Sequence, residues 1–287
     1  MTASNRFQIG SHNVARVGYG AMQLAGPGVF GPPPDREAAI RLIRSAVELG
    51  VDHIDTAQYY GPDIVNELLR DALAPIGDEI AIVSKVAVRR GPAGEILRYD
   101  APRDLRTGIE GNLRTLRVDH LAAVNLRMPD PTADPDARFD DQLAAMIEAR
   151  DDGLIDGVGL SNVSAAQLRR ALEITEVVCV QNYFSLASHH SRDVLNITAA
   201  QDIAFAPYCP LGWPRADRDR VLAHPAVRRI ARTRDATPAQ VALAWLLSLG
   251  PHVLLIPGTN TPHHLEENLS SVRVSLTESD LAELANI

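Results

Sequence analysis

Short apolar runs alternate with amphipathic segments along most of the chain. An apolar run of about four to eight residues, bounded by turn residues, is typical of a buried strand. We predict strands at residues 18–22, 51–54, 81–86, 121–126, 155–160, 177–180, 203–207 and 253–256. Most of these runs are continuously apolar, which favours parallel strands covered by helices.

Between the strands, apolar residues recur at helical spacing. Asp35 is placed to cap a helix that ends at Gly50, and residues 64–73 form the next one. A capping threonine followed by proline, at Thr237-Pro238 and Thr261-Pro262, begins two later helices. Further helices are predicted around 105–116, 143–147, 164–175 and 276–280, an exposed loop at 128–138, and a small hairpin around 7–17.

Eight strands, each with a following helix, predict an α/β fold, a (β/α)8 TIM barrel with an N-terminal β-hairpin, as a single domain over residues 1–287. A doubly wound open sheet is the alternative arrangement of such elements. That fold usually carries Gly-x-Gly-x-x-Gly after its first strand, and this motif is missing here. The barrel is therefore the preferred prediction.

Composition and charge exclude several classes of protein. The net charge is −8, and the arginine pairs 89–90 and 228–229 are isolated, so nucleic acid is not an expected partner. No run of about 18 apolar residues predicts a membrane span, and we expect a cytoplasmic protein. Cys179 and Cys209 lie in apolar runs without metal-ligand spacing, so we predict reduced thiols and no metal.

Polar residues follow the predicted strands, where a barrel of this type carries its active site. In chain order they are Met22-Gln23, Asp55 with Tyr60, Lys85, Arg127, Ser161-Asn162, Gln181-Asn182, Tyr208 and Thr259-Asn260. Each of them alone could be an ordinary turn or cap residue. Together they predict one chemical site at the carboxyl ends of the strands.

Tyrosine, lysine and aspartate at one site suggest a phenol that donates a proton. The pKa of free tyrosine is about 10, and a nearby ammonium favours the phenolate, so Lys85 is expected to lower the pKa of Tyr60. Asp55 would keep Lys85 charged and in place. The sequence offers neither a metal cluster nor a nucleophilic serine or cysteine beside a histidine, which leaves chemistry supplied by a cofactor.

Several ordered segments resemble the aldo-keto reductase superfamily over nearly the whole chain. They are Gly18-Tyr19-Gly20-Ala21-Met22, residues 55–61 (DTAQYYG), residues 82–85 (IVSK), residues 157–162 (GVGLSN), residues 208–212 (YCPLG) and residues 256–259 (IPGT) running on to Glu267-Asn268. The resemblance implies a barrel that reduces aldehydes and ketones with NADPH and without a metal. NAD(H) remains open as the cofactor, and the expected substrate is a small carbonyl compound.

The resemblance also implies roles for individual positions. Tyr60 would be the proton donor, with Lys85 and Asp55 as its partners. The cofactor would contact Gly20, Ala21, Met22, Asp55, Ser161, Asn162, Gln181, Tyr208, Cys209, Leu211, Gly212, Gly258, Thr259, Asn260, His264, Glu267 and Asn268. The substrate would contact Gln23, Tyr59, Arg127, Met128 and Trp213.

Two positions depart from the pattern of the superfamily. Arg127 stands where a catalytic histidine is usual, and since arginine only donates hydrogen bonds, it can orient a carbonyl or bind an anion but cannot shuttle a proton. Its alternative role is to pair with an aspartate and shape the pocket. Gly258 and His264 replace the lysine and arginine that many members place against the 2′-phosphate.

Within the superfamily, residues 18–33, 124–127 and 178–182 are similar to the bacterial pyridoxal reductases (pyridoxine 4-dehydrogenases), which also carry arginine at the histidine position. Reduction of pyridoxal is therefore one expected function. No long C-terminal loop follows Leu284, so a tailoring reductase with an open pocket for bulky natural products is an alternative. A non-catalytic NADP(H)-binding regulatory protein is the alternative from another class.

Overall fold

Strands and helices alternate as the sequence predicts. The computed structural model describes residues 5–287. The strands are β1 (Arg6–Ile9), β2 (His12–Ala15), β3 (Tyr19–Gly20), β4 (His53–Asp55), β5 (Ala81–Arg90), β6 (Ile96–Tyr99), β7 (Ala123–Arg127), β8 (Val158–Ser161), β9 (Cys179–Gln181) and β10 (Ala204–Phe205).

The helices cover the outer side of the sheet. They are α1 (Arg36–Glu48), α2 (Ile64–Leu73), α3 (Pro102–Leu116), α4 (Ala137–Asp151), α5 (Ala165–Ile174), α6 (Arg192–Ala200), α7 (Arg215–Ala223), α8 (Pro225–Thr233), α9 (Pro238–Ser248), α10 (Pro262–Ser270) and α11 (Glu278–Leu284). Short 3₁₀ helices occur at Ala21–Leu24, Pro27–Val29 and Ser271–Arg273.

A parallel sheet in the order β3-β4-β5-β7-β8-β9-β10 forms most of the barrel wall. Residues 253–256 close it, because they bond to the strands at both of its edges. The Leu254 amide donates to the Phe205 carbonyl at 2.9 Å, and the Gly18 amide donates to the Leu255 carbonyl at 2.8 Å. The predicted barrel is confirmed, and the open-sheet alternative is wrong.

Glycines allow the first and last segments of the wall to approach closely. A Cβ atom at Gly20 would lie 2.3 Å from the Ile256 carbonyl oxygen, and one at Gly258 would lie 2.8 Å from the Gly20 oxygen. Both distances are shorter than side-chain carbons tolerate, so any larger residue would push the two segments apart. Arg16 adds a polar link near the same seam, since its guanidinium donates to the carbonyls of Leu247 and Val253 at 2.6 and 3.2 Å.

The predicted N-terminal hairpin is present and covers one end of the barrel. Strands β1 and β2 pair in antiparallel orientation. Ile9 and Val14 of this hairpin pack with Ala81 and Ala123, which begin β5 and β7. The hairpin therefore seals the amino-terminal end of the barrel and leaves the carboxyl ends of the strands for the site.

Helix boundaries follow the capping signals in the sequence. Helix α2 spans Ile64–Leu73, as predicted. The Asp35 carboxylate accepts a hydrogen bond from the Ala38 amide and caps α1, while Ser164 and Thr237 form capping boxes at α5 and α9. These side chains satisfy amides that the first turn of a helix leaves without partners.

Two of the barrel strands differ from the predictions. The first barrel strand is only Tyr19–Gly20, because the predicted strand 18–22 turns into a 3₁₀ helix at Ala21. Lys85 lies inside β5, which continues to Arg90 and pairs with β6 as an antiparallel hairpin. Parallel pairing of β5 with β7 ends at Val86, so Lys85 still lies at the end of the barrel part of this strand.

Helices α7 and α8 have no counterpart in the sequence analysis. Helix α7 buries only Val221, so it lacks an apolar stripe that could reveal it. Helix α8 does carry detectable signals, with Pro225 at its first position and buried Val227 and Ile230 at helical spacing. Within residues 5–287, no helix is both long enough and apolar enough to cross a membrane.

Candidate active site

The register of the parallel strands brings the predicted polar residues to one end of the barrel. Gly20 lies opposite Asp55, and Lys85 lies opposite Asn125 on the next strand. Arg127 is paired with Ser161, which in turn is paired with Gln181. The carboxyl ends of β3 to β9 therefore surround one site, as the sequence predicts.

A buried hydrogen-bonded group lies at the base of this site. The Lys85 ammonium donates to Asp55 Oδ1 at 2.6 Å and to the Thr56 carbonyl at 3.0 Å. Gln181 Nε2 donates to the other oxygen, Asp55 Oδ2, at 2.7 Å. All three residues are at most 5% exposed. The negative charge of Asp55 is thus fully engaged by one cation and one amide.

Tyr60 lies on the turn after β4, directly above this group. Its backbone is held by the turn, because the Tyr60 amide donates to Ala57 and the Val65 amide donates to Tyr60. The Lys85 nitrogen lies 5.0 Å from the centre of the Tyr60 ring. Tyr60 is a buried residue, and among residues 5–287 no group hydrogen-bonds to its hydroxyl. The hydroxyl is therefore available to a ligand.

The pKa of Tyr60 is raised well above its ordinary value, mainly because burial disfavours the charged phenolate. The carboxylate of Asp55 raises the pKa further, while the guanidinium of Arg127 lowers it. The pKa of Tyr60 is therefore not lowered overall, although the Lys85 ammonium, which is paired with Asp55, lies 5.0 Å from the centre of its ring. A raised pKa keeps the phenol protonated at neutral pH.

Arg127 ends β7 and is half-buried at the mouth of the site. Within the described part of the chain, its side chain forms neither an ion pair nor a hydrogen bond, so the alternative that it pairs with an aspartate is wrong. Its charge lowers the pKa of Tyr59, Tyr60 and Tyr208. The guanidinium is thus close to three phenols and keeps its donors free.

Asn162 and Tyr208 are tied to each other at the side of the site. Asn162 has a left-handed backbone with φ 57°, and its side-chain nitrogen donates to the Met128 carbonyl at 2.8 Å. The Tyr208 hydroxyl donates to the Asn162 oxygen at 3.0 Å. One face of the Tyr208 ring stacks on Tyr183, with 5.8 Å between centres. The ring of Tyr208 is therefore fixed in orientation.

The turn after β10 holds the predicted residues Cys209, Leu211, Gly212 and Trp213. Gly212 has φ 112°, and a Cβ atom there would lie 2.9 Å from the Arg218 amide nitrogen, so this position requires glycine. The Trp213 side chain is 65% exposed. Its backbone amide donates to the Tyr183 hydroxyl, which donates back to the Trp213 carbonyl, both at 2.9 Å.

The remaining predicted cofactor residues follow residues 253–256 and run into α10. The Tyr19 hydroxyl donates to the Thr259 carbonyl at 2.7 Å, and the Thr261 amide donates to the Thr259 hydroxyl. Asn260 and His264 are exposed, Glu267 is half-buried and Asn268 is buried. The contact of Gly258 with Gly20 explains the missing lysine, because the strand packing leaves no room for a side chain there.

The residues predicted near the first strand and β7 differ in exposure. Ala21 is buried in the main core, Met22 is half-buried and Gln23 is exposed. Met128 is buried, and its amide donates to the Ser161 carbonyl at 2.8 Å. Ala21 thus contributes to the core, while Gln23 and Met128 flank the mouth from opposite strands.

Sequence reasoning missed two residues of the site. Tyr183 stacks on Tyr208, and its position directly after the polar strand end Gln181-Asn182 is the signal that could have found it. Arg90 was noted only as half of an isolated basic pair, yet it binds the carbonyl of Tyr59. Among residues 5–287, no cluster of histidine, cysteine and carboxylate side chains could hold a metal ion.

A barrel that gathers ionisable side chains at the carboxyl ends of its strands has the architecture of an enzyme. Comparison with known proteins identifies the class: the profile of the Aldo/keto reductase family matches residues 16–287, and the chain belongs to this family. It is accordingly an NAD(P)H-dependent oxidoreductase of carbonyl compounds.

Individual relatives agree with this assignment. Pyridoxine 4-dehydrogenase of Escherichia coli (strain K12) is 42% identical, with 99% of each chain covered. A thermostable aldo-keto reductase solved with the inhibitor epalrestat has a TM-score of 0.82 at 27% identity, covering 98% of each chain. An aldo-keto reductase of Klebsiella pneumoniae solved with NADPH has a TM-score of 0.83 at 25% identity, covering 98% of this chain and 94% of that one.

Proposed function

We propose that the protein uses NADPH to reduce an aldehyde to an alcohol, that Tyr60 donates the proton, and that pyridoxal is its substrate. The observation that carries this proposal is the free guanidinium of Arg127 beside the protonated phenol of Tyr60. A carbonyl oxygen bound to Tyr60 would lie close to Arg127, so an anionic group next to the carbonyl would have a cationic partner.

The side chains around the site fit a nicotinamide cofactor, which when bound supplies the hydride. Ser161 and Asn268 are buried residues, and within residues 5–287 neither the Ser161 hydroxyl nor the side-chain amide of Asn268 has a hydrogen-bond partner. Ser161 would bind the carboxamide, and Asn268 would bind the adenine. Tyr208 would stack on the nicotinamide through the face that Tyr183 does not cover.

NADP(H) is the proposed form of the cofactor, and NAD(H) is the competing one. The first turn of α10 leaves amide donors free, since Thr261 does not cap it with its side chain. Amide donors and the helix dipole favour an anion such as the 2′-phosphate. His264 lies on the same turn, and its exposed imidazole can donate a hydrogen bond to such an anion.

Within this proposal, the chain's own groups divide the work at the carbonyl. Tyr60 holds the proton that the product oxygen receives, because a phenol with a pKa at or above its ordinary value is protonated at neutral pH. Lys85 and Asp55 form a buried ion pair beneath its ring, and Gln181 holds the Asp55 carboxylate in place. Arg127 orients the substrate by donating hydrogen bonds, as it has no acceptor with which to move a proton.

Pyridoxal is the proposed substrate because it carries a phenolate oxygen next to its aldehyde. A guanidinium beside the proton donor suits that pair of oxygens, since charge-assisted hydrogen bonds are stronger than neutral ones. The relative that is 42% identical carries the name pyridoxine 4-dehydrogenase, which supports the same substrate class.

The test is the oxidation of NADPH and of NADH by the purified protein with pyridoxal, simple aromatic aldehydes, quinones and a bulky natural-product ketone. Steady NADPH consumption that is fastest with pyridoxal and lost in Tyr60→Phe is expected. A higher kcat/KM for the bulky ketone than for pyridoxal would indicate a tailoring reductase instead of a pyridoxal reductase. Tight NADPH binding without steady turnover of any carbonyl would instead indicate a regulatory binding protein.

A further inference from the structure

Arg90 joins three separate segments at the mouth of the barrel. Its Nη1 donates to the Gly94 carbonyl at 2.6 Å, its Nη2 to Gly28 at 3.2 Å and its Nε to Tyr59 at 3.4 Å. Gly94 lies in the turn of the β5-β6 hairpin, Gly28 in the glycine-rich loop after β3, and Tyr59 directly before the proton donor of the proposed reaction. One side chain thus contacts the backbone of all three.

The loop of residues 26–31 has few other polar links to the catalytic turn. Its Val29 carbonyl accepts from the Gly61 amide at 3.3 Å. Gly28 and Gly31 have positive φ angles of 71° and 70°. Glycine adopts this conformation readily, but it loses more conformational entropy on folding than other residues. The Phe30 ring lies beside Gly94, since a Cβ atom at Gly94 would be 3.3 Å from that ring. The Arg90 guanidinium therefore supplies most of the polar connection between loop and hairpin.

The neighbouring arginine provides an internal contrast. Arg89 is exposed, and its guanidinium lies 5.2 Å above the ring of Tyr99 on β6. It touches the hairpin alone and none of the backbone of the catalytic turn. Arg90 is half-buried and points to the opposite side of the strand, as alternation along β5 requires.

We infer that Arg90 is a positioning residue for Tyr60, because it ties residues 26–31 and the β5-β6 hairpin to the catalytic turn. The inference rests on the proposed function, because it assigns Arg90 a part in placing the proton donor. Arg90 acts through the Tyr59 backbone rather than by contact with the substrate. A small displacement of a donor costs much of the rate, since proton transfer depends strongly on distance.

Charge adds a second effect at the same place. The groups that influence the Tyr60 hydroxyl are Asp55 on β4, Arg127 on β7, Cys209 after β10 and Arg90 on β5, with the paired Lys85 beneath the ring. Arg90 and Arg127 lower the pKa of this phenol, whereas Asp55 raises it. The effects of position and of charge can be separated with Arg90→Lys. Lysine keeps the positive charge but cannot form the guanidinium's contact with all three carbonyls.

The test compares Arg90→Met and Arg90→Lys with the matched control Arg89→Met in steady-state reduction of pyridoxal by NADPH. Positioning predicts that kcat falls about tenfold in both Arg90 variants, while the dissociation constant of NADPH and the kcat of Arg89→Met stay within about twofold of the parent protein. Wild-type kcat in Arg90→Lys would reduce the role to charge alone and overturn positioning. Wild-type kcat in Arg90→Met would remove any role.

Hydrogen exchange distinguishes failure of this inference from failure of the proposed function. Amides of residues 26–34 and 59–61 should exchange faster in Arg90→Met and Arg90→Lys than in Arg89→Met, whether or not any carbonyl is turned over. Unchanged exchange in these peptides would overturn the inference even in an active enzyme. Faster exchange in a protein without turnover would leave the structural link standing and reject the proposed reaction.

Discussion

The Lys85 ammonium donates a 2.6 Å hydrogen bond to Asp55 Oδ1 inside the barrel, where both side chains are almost fully shielded from solvent. Removing one member of a buried ion pair leaves the other charge without compensation. We expect Lys85→Met to lower the free energy of unfolding by about 3–5 kcal/mol, measured by urea denaturation. Asp55→Leu in the same chain should restore part of the loss, and a single Lys85→Met variant of parental stability would contradict the pairing argument.

Tyr60→Phe removes the proposed proton donor while keeping the ring above Lys85. Because general acid catalysis contributes about 10²- to 10⁴-fold, kcat/KM for pyridoxal should fall by that order. NADPH affinity, measured by fluorescence titration, should stay close to that of the parent protein. Tyr99→Phe on the β5-β6 hairpin is the control and should retain full activity. Substantial turnover by Tyr60→Phe would show that a group other than Tyr60 donates the proton.

Arg127 should discriminate between substrates by charge. In Arg127→His and Arg127→Met, KM for pyridoxal should rise about tenfold or more, because a charge-assisted hydrogen bond to its phenolate is lost. KM for benzaldehyde, which has no anionic oxygen, should change little. Equal effects on both aldehydes would assign Arg127 to the carbonyl itself, and the absence of an effect on either would exclude a role in binding.

The two thiols should resist alkylation in the folded protein. Burial disfavours the thiolate and raises the pKa of Cys209 to about 11 and that of Cys179 to about 12. At pH 8 about one Cys209 side chain in a thousand is then ionised, against roughly a quarter of free thiols with a pKa near 8.5. Iodoacetamide should modify Cys209 very slowly at pH 8 and about tenfold faster per pH unit up to about pH 11.

The expected rise in the alkylation rate with pH follows from the direction in which burial moves the pKa of Cys209. A raised pKa removes thiolate at neutral pH and restores it only as the pH approaches the new value. Mass spectrometry after timed labelling, with urea-unfolded protein as the control, would measure both rates. Rapid modification of folded Cys209 at pH 8 would show that its surroundings favour the thiolate, contrary to its burial.

Local signals predict those parts of the fold whose cause is local. Helix α2 matches its apolar spacing, and α5 and α9 begin at the predicted caps Ser164 and Thr237. The position of the site was also predictable, because the carboxyl ends of parallel strands lie together at one end of the barrel. The direction of the pKa shift of Tyr60 was not, since it depends on how deeply the ring is buried and on where Lys85 points.

Long-range contacts decide the remaining features. Nothing in the sequence around Gly258 shows that Gly20 lies against it, and so the missing lysine resembled a loss of cofactor specificity. Arg90 likewise gains its contacts from residues about 30 and 60 positions earlier, Tyr59 and Gly28. Such relationships depend on which residues meet where the barrel closes and on the β5-β6 hairpin, and no local pattern predicted those contacts or that hairpin.

The packing of Gly258 against Gly20 yields a final prediction about the cofactor site. A lysine at 258 should fail to strengthen NADPH binding here, because its Cβ atom would lie 2.8 Å from the Gly20 oxygen. Gly258→Ala alone should destabilise the protein by about 1–3 kcal/mol through overpacking. The matched control is Gly111→Ala in α3, where the nearest atoms to a new Cβ are 3.8 Å away and a gain of about 0.5–1 kcal/mol is expected. Thermal unfolding of the two variants measures the contrast, and a stable Gly258→Lys variant with tighter NADPH binding would show that the seam between the first and last segments can open.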